Sequence, residues 1–387
     1  MRIICAPDSF KESITATNAA QALRRGILSA APSTEVTCLP MADGGEGTMR
    51  TLVNALDGDI RSTPCTDALG RPTNATFGLI HTESTTTAII EMAAAAGIEH
   101  IPPYERNIRA ATTYGVGQLI TAALDASAHT LLIGIGGSAT NDAGTGMMSA
   151  LGARFLDAEG NQLPPGGSAL RNCAHIDTTQ LDRRLAKTKI MVACDVNNPL
   201  LGKHGASAVF GPQKGATPED IIELEHALTR WADIVETTLN KPIRNTPGAG
   251  AAGGVGAAFL AFTSAELRPG AQLVMDTINI DHHLHGADYV FTGEGSVDTQ
   301  SMAGKAPMQV AQRAAQAGVP TVVFAGRIEE KIARTPPAGV IATVPIVREA
   351  TDLPTALAAG EQNLEAAAAM VTRLLHADLT RKAIHRN

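Results

Sequence analysis

The sequence is poor in aromatic side chains and in net positive charge, and it holds no long apolar run and no cysteine pattern. Aromatic residues make up 3% of a chain that is 44% hydrophobic, so its core must be built mainly from Ala, Val, Ile, Leu and Met. The formal net charge of −7 offers no general attraction to nucleic acid or anionic lipid, which excludes both as expected partners. An anionic substrate would have to be met by local dipoles and a few placed cations. Cys5, Cys38, Cys65, Cys173 and Cys194 are odd in number and scattered, without a CxxC pair. That excludes a disulfide scaffold and fits a reducing compartment. No stretch is long and apolar enough to span a bilayer, and no basic leader precedes the first apolar run. The expected location is the cytoplasm.

What is present points to layered α/β architecture. At 387 residues the chain exceeds the span of one growing core, and two domains are expected. Short β-branched runs alternate with Ala-rich helical stretches, the pattern of a largely parallel sheet covered by helices. Strands are expected at Ile3–Ala6, Val36–Leu39, near Ile89, and at Leu131–Ile133, Ile190–Ala193, Tyr289–Phe291 and Val322–Phe324, with a helix over Asn18–Ser29. The spacing of Leu357, Leu364, Ala368, Val371 and Leu375 predicts a long amphipathic helix. In Gly248–Phe262 the early glycines predict a close backbone approach and the later residues a helix. No fixed-period repeat supports a solenoid.

Each expected strand runs into a polar or glycine-rich loop, where open α/β sheets bind ligands. Asp8, Asp43, Glu46, Asn141, Asp142, Asp195, Asn197, Asn198, Glu294 and Asp298 all follow strands. Any one of them suits helix capping. Together they are the equipment of phosphoryl transfer, in which Mg²⁺ takes hard oxygen ligands and another carboxylate accepts the proton of the attacking hydroxyl. Gly134-Ile135-Gly136-Gly137-Ser138-Ala139-Thr140 is expected to open a helix and meet phosphate at its positive end. It lacks the GK(S/T) ending of a P-loop but fits the loose dinucleotide fingerprint GxGxx(G/A), with Asp157 near the ribose-contact spacing. A nicotinamide-dependent oxidoreductase is therefore a rival class, and a metabolite-binding protein a third. A second glycine loop, Gly293-Glu294-Gly295-Ser296-Val297-Asp298, precedes Lys305, which stands before a helix with Pro307 in its first turn. Lys11 and Arg71 are loop cations suited to a substrate carboxylate. Asp281-His282-His283-Leu284-His285 is too tightly spaced for the usual zinc patterns and reads as a linker or helix start. No serine lies in a GxSxG elbow.

The loops APDSFKES, ADGGEGT, ATTYGVGQLI, GIGGSATNDAGTGM, ACDVNNPLLG, GASAVFGPQKGA, PGAGAAGGVGAA and TGEGSVDTQSMAGKAP occur in this order. Together they resemble the bacterial glycerate kinase family from about Arg2 to Gly326. Ala143, Ser296-Val297 and Met302-Ala303 depart modestly from its pattern. The resemblance implies a two-domain α/β fold. A Rossmann-like or flavodoxin-like domain formed from both chain ends, 1–82 and 286–387, carries an inserted α/β domain, 83–285, with the active site in the interdomain cleft. It also implies ATP and D-glycerate as substrates, Mg²⁺ as cofactor, 2-phosphoglycerate as the favoured product, and a place in glyoxylate, glucarate and galactarate catabolism; a homo-oligomer is compatible with it.

Chemistry then suggests roles. Lys11 and Arg71 would hold the glycerate carboxylate, Asp8 would orient a hydroxyl, and Ser9 would also bind the substrate. Gly134, Gly136, Gly137, Ser138, Ala139, Thr140, Asn141, Gly293 and Gly295 would face the nucleotide, with Lys305 assisting. Asp195 would be the base, and Asp43, Asp142, Glu294 and Asp298 would surround the metal. Domain closure is expected to exclude water from the phosphoryl donor.

Overall fold

The computed structural model describes residues 1–299, 301 and 304–384, with side chains as far as 377. Gln300, Met302 and Ala303 of the TGEGSVDTQSMAGKAP segment lie outside the described residues. Strands β1 (Arg2–Cys5), β2 (Glu35–Cys38), β3 (Asp59–Thr66), β4 (Pro72–His81), β5 (Thr86–Glu91) and β6 (Thr130–Gly134) come first. β7 (Arg154–Leu156), β8 (His175–Asp177), β9 (Lys189–Ala193) and β10 (Glu266–Arg268) follow, then β11 (Tyr289–Val297), β12 (Thr321–Ile328) and β13 (Val340–Pro345). The chain divides into two compact units, Met1–Asp43 with the segment from Ala271 onward, and Gly44–Gly270. Residues 44–82, expected with the chain ends, fall with the middle of the chain, where β3 and β4 pair onward to β5, and residues 271–285, expected in the inserted domain, fall with the chain ends.

The terminal unit is built on five strands in the order β13-β12-β11-β1-β2, every pair parallel. Numbered within the unit this is the flavodoxin-like order 2-1-3-4-5, whose switch point lies between β1 and β11. Ile3, Ile4 and Cys5 are fully buried, as a parallel strand covered on both faces requires. The helix Ala16–Ala30 starts where Thr15 accepts a hydrogen bond from the Asn18 N–H at 3.2 Å. Its Ala19, Ala22, Leu23 and Ile27 join Phe291, Phe324, Leu364 and Ala368 in one core. The C-terminal apolar stripe is split between two helices, Leu353–Ala358 and Gly360–Ile384, with Ala359 at the junction. The His-rich run lies on a short helix, Ile280–Leu284, where Asp281 accepts from Arg313 at 2.7 and 2.6 Å.

The central unit carries six strands in the order β10-β9-β6-β5-β4-β3. β10, β9, β6 and β5 are parallel; β4 and β3 form an antiparallel hairpin at the edge. Glu91, Gly134, Ala193 and Arg268 lie in register across four strands, so the loops that follow them leave one sheet edge together. β7 and β8 form a separate antiparallel pair. Among the described residues no helix is long and apolar enough to cross a membrane.

Helix Ala16–Ala30 packs so closely on helix Gly360–Ile384 that a Cβ at Gly26 would stand 2.2 Å from the Glu365 carbonyl oxygen and 2.8 Å from Ala368 Cβ. Gly26→Val is therefore expected to destabilise the protein by about 1–3 kcal/mol through overpacking, read as a lower urea midpoint. An unchanged midpoint would show that the helices separate without cost.

Candidate active site

In the terminal unit the segment after β1 lies along β11. Asp8 N–H donates to the Gly293 carbonyl at 2.8 Å, and the Ser9 N–H donates to Asp8 Oδ1 at 2.6 Å. Gly293 and Gly295 prove to be residues of β11, which runs on to Val297, so the expected second glycine loop is strand. Glycine is needed there for close approach: a Cβ on Gly293 would meet the Phe324 carbonyl oxygen at 2.2 Å, and one on Gly295 would lie 3.3 Å from Lys11 N. This brings Asp8 to the carboxyl ends of β1 and β11, within electrostatic range of Asp43, Glu294 and Lys11. Burial pushes the Asp8 carboxyl up to about 7 from its ordinary 3.8; the Ser9 N–H opposes that rise, and Asp43 and Glu294 add to it.

Glu294 is buried, and burial raises its carboxyl too. Its Oε2 accepts from Lys305 Nζ at 3.2 Å, while Oε1 is buried with no hydrogen-bond partner among the described residues. Lys305 is half-exposed and stands at the residue before the helix Ala306–Gln316, with Pro307 in the first turn as its sequence predicts. Asp298 accepts from the Ser301 N–H at 3.0 Å in a tight turn.

In the central unit the loop after β6 exposes only Gly136 and Gly137; Ser138 to Asp142 are buried. The loop does not open a helix as expected. The next helix, Thr145–Ala150, begins later, and the anion at its start is the protein's own Asp142. That carboxylate accepts from Thr113 N at 2.8 Å, Thr113 Oγ1 at 2.9 Å, Gly144 N at 3.1 Å and Gly146 N at 3.2 Å. These bonds engage both oxygens of a carboxylate with no exposed surface, so Asp142 shapes the turn. Ala139 N–H donates to the Ala96 carbonyl at 2.9 Å, and Asn141 Nδ2 donates to Ser207 Oγ at 3.0 Å. Gly44 and Gly45 cross the same loop, since a Cβ on Gly134 would stand 2.3 Å from the Gly44 carbonyl oxygen.

Asp195 is exposed beyond the end of β9, with Oδ1 accepting from Gly270 N–H at 3.0 Å. Arg71 lies in the β3–β4 turn, engaged with Asp67 at 2.6 Å and Glu105 at 2.7 Å. Its side chain is half-exposed, with these two carboxylates as its partners in this structure. Asp157 closes its own turn through the N–H groups of Glu159 and Asn161. It follows β7, outside the parallel sheet, which removes the ribose contact a dinucleotide fold would need.

Sequence reasoning missed two residues. Lys214 is 2% exposed and donates from Nζ to Ser138 Oγ and to the Thr140 carbonyl, each at 2.7 Å. Its only signal was its place in the GPQKGA segment. Glu91, at the end of β5, accepts from Met49 N–H at 2.7 Å and caps the helix Thr48–Ala55; nothing in its own surroundings in the sequence marks it.

A parallel α/β enzyme with charged groups gathered at the carboxyl ends of its strands is the class that this fold and these loops define. The chain belongs to the glycerate kinase family, whose profile matches residues 3–376. The glycerate kinase of Haemophilus influenzae is 46% identical over 375 residues, covering 97% of this chain and 99% of that protein. The glycerate 2-kinase of Escherichia coli is 44% identical over 332 residues, covering 86% and 87%. The crystal structure assigned to glycerate kinase 2 of Salmonella typhimurium LT2 superposes with a TM-score of 0.88 at 44% identity, covering 99% of both chains. The protein is thus a kinase.

Two predictions follow from the carboxylates. Asp8 binds its proton more tightly folded than unfolded, so its contribution to stability is fully present below pH 3.8 and is lost as pH rises through about 7. Asp8→Asn should therefore gain stability over the parent at pH 8 and lose that advantage towards pH 4, by up to about 4 kcal/mol at about 1.4 kcal/mol per unit, less wherever water screens the group. Urea melts at both pH values test this; a pH-independent difference would refute it. Asp142→Ala should cost about 3 kcal/mol or more, because several buried donors lose one acceptor. Thermal melts check that, and a neutral outcome would mean the turn closes without the carboxylate.

Proposed function

We propose that the protein transfers the γ-phosphoryl group of ATP to D-glycerate, giving ADP and 2-phospho-D-glycerate. The observation that carries this reading is the gathering of Asp8, Asp43 and Glu294 with Lys11 and Lys305 around the strand ends of the terminal unit. The named activities of the relatives supply glycerate as acceptor, and that of the Escherichia coli enzyme supplies the 2-position.

Phosphoryl transfer asks the protein chiefly for positioning and charge neutralisation. In this reading Lys11, with Asp8 and Ser9 beside it, holds and orients glycerate. The exposed backbone of Gly136 and Gly137 receives nucleotide phosphate, and Lys305 adds a cation to the transferring group. Mg²⁺ suits the donor set: Glu294 Oε1 is a hard oxygen with no hydrogen-bond partner among the described residues, and Asp43 and Glu294 both act electrostatically on Asp8. Among the described residues no three His, Cys, Asp or Glu side chains form a cage, and Mg²⁺ typically takes one or two carboxylates and completes its shell with water and phosphate. When bound, it would neutralise phosphate charge. Asp298 would act on its water shell.

Asp195, exposed and anchored by one oxygen to the Gly270 N–H, is assigned as acceptor of the hydroxyl proton. A specific observation favours a second reading, in which Asp8 takes the proton: its carboxyl is held near neutrality, where a general base works best. Incubation with Mg-ATP and D-glycerate should release ADP, and phosphorus NMR should place the phosphate on carbon 2. No ADP release from folded protein would end the proposal, and a carbon-3 ester would correct its product. Asp195→Asn should lower kcat by about 10²–10⁴ with the fold intact. Near-normal turnover in that variant, together with a comparable loss in Asp8→Asn, would move the base to Asp8.

A further inference from the structure

We infer that Lys214 is the positioning residue of the loop Gly134–Thr140: its buried ammonium clamps Ser138 and Thr140 from behind and so sets the affinity of the exposed Gly136-Gly137 tip for nucleotide phosphate. The inference rests on the reading of that tip as a phosphate site. It adds a cation that does not touch the nucleotide.

Burial of an ammonium is costly, several kcal/mol after relaxation, and an apolar side chain of similar volume is often as stable or more so. Lys214 is nonetheless among the largest fully buried side chains of the protein. Both of its contacts in the loop are short, directional and to loop atoms two residues apart. They fix the segment immediately behind the two exposed glycines, whose own backbone has the least intrinsic preference of any residue.

The surrounding structure serves the same end. Lys214 ends a 3-10 turn, Pro212–Lys214, that follows the helix Ala206–Phe210. Ser207 of that helix accepts from Asn141 Nδ2, so one segment supports the loop at Ser138, Thr140 and Asn141. Two charged groups lie against it. Asp142, fully buried, favours the ammonium, although burial pulls Lys214 down to about 7. Arg106 packs beside Gly215 and donates to the Gln213 carbonyl at 3.3 Å. In such dry surroundings the two hydrogen bonds of Nζ meet little competition from water. A methionine or leucine at 214 would fill the space but supply no clamp.

The test is steady-state kinetics on the full chain with Lys214→Met, its fold checked by circular dichroism. The KM for Mg-ATP should rise about tenfold or more, equivalent to about 1.4 kcal/mol, while the KM for D-glycerate changes less than about twofold. A purely structural lysine would lower thermal stability and leave the KM for Mg-ATP of the folded fraction unchanged. Equal rises in both KM values would also overturn the inference. Should Lys214→Met fail to fold, Ser138→Ala removes one of the two contacts and should raise the KM for Mg-ATP in the same direction; no change there overturns the inference. Gly136→Val is the control for the underlying reading, because its Cβ has room, 3.5 Å from Gly45 Cα, and would cover the tip. If Gly136→Val raises the KM for Mg-ATP and Lys214→Met does not, only the role of Lys214 falls. If neither does, the phosphate reading of the loop falls and takes the role of Lys214 with it.

Discussion

The central unit depends on the turn that Asp142 closes. Thr113 and the N–H groups of Gly144 and Gly146 converge on one carboxylate that has no contact with water. An uncompensated charge at that depth would be costly, so the donors and the carboxylate are retained together or not at all. With the turn closed, Ser138 to Asn141 are drawn beneath the surface and only two glycines remain outside. The anion-binding capacity of the following helix is thereby spent on an internal group, and any external anion must be met by the glycine backbone.

This explains how much of the fold and site could be read from sequence. Strands β1, β6, β9, β11 and β12 announce themselves because buried parallel strands need apolar, β-branched runs; β2, at the sheet edge, shows the same short run, and each expected run coincides with its strand to within a residue or two at the start. The hairpin of β3 and β4 does not, since β3 lies at the sheet edge with most of its residues exposed and shows no apolar run. The acidic residues that follow strands were legible as a set. Their individual surroundings were not: Asp142 and Asp195 have the same local signature, yet one is sealed inside a turn and the other exposed. That difference arises from Thr113 and Gly270, at distances of 29 and 75 residues along the chain.

Glycine shows the same ambiguity more sharply. GIGG and GEG look alike in sequence, and both suggest a flexible cradle. In the first, Gly136 and Gly137 are exposed at the tip of a loop. In the second, Gly293 and Gly295 lie inside a strand, where the neighbouring strand and the Phe10-Lys11 backbone leave little space for a side chain. The distinction is set by partners more than 280 residues away in the case of Asp8 and Gly293, which no local pattern contains. Lys214 is hidden for the mirror-image reason: a lysine in a glycine-flanked segment reads as solvated, and only the assembled loop reveals that it is buried.

The carboxylates of the terminal unit then bear on why such a site is retained. Burial, with Asp43 and Glu294 adding to it, raises the Asp8 carboxyl, and Lys11 does not return it to its ordinary range. For folding alone this is a liability, because β1 and β11 would pair as well with neutral residues at their ends. Groups held against their intrinsic preference at a switch point of a parallel sheet are instead the mark of a surface arranged for another molecule's charge. A phosphate ester accompanied by a divalent cation brings both signs: the cation suits the carboxylates and the phosphate suits the lysines. In the proposed reading, the local electrostatic cost in the free protein is the counterpart of affinity for a metal-phosphate ligand, and it resides in the unit whose core is built around Ile3, Leu23, Phe291 and Phe324.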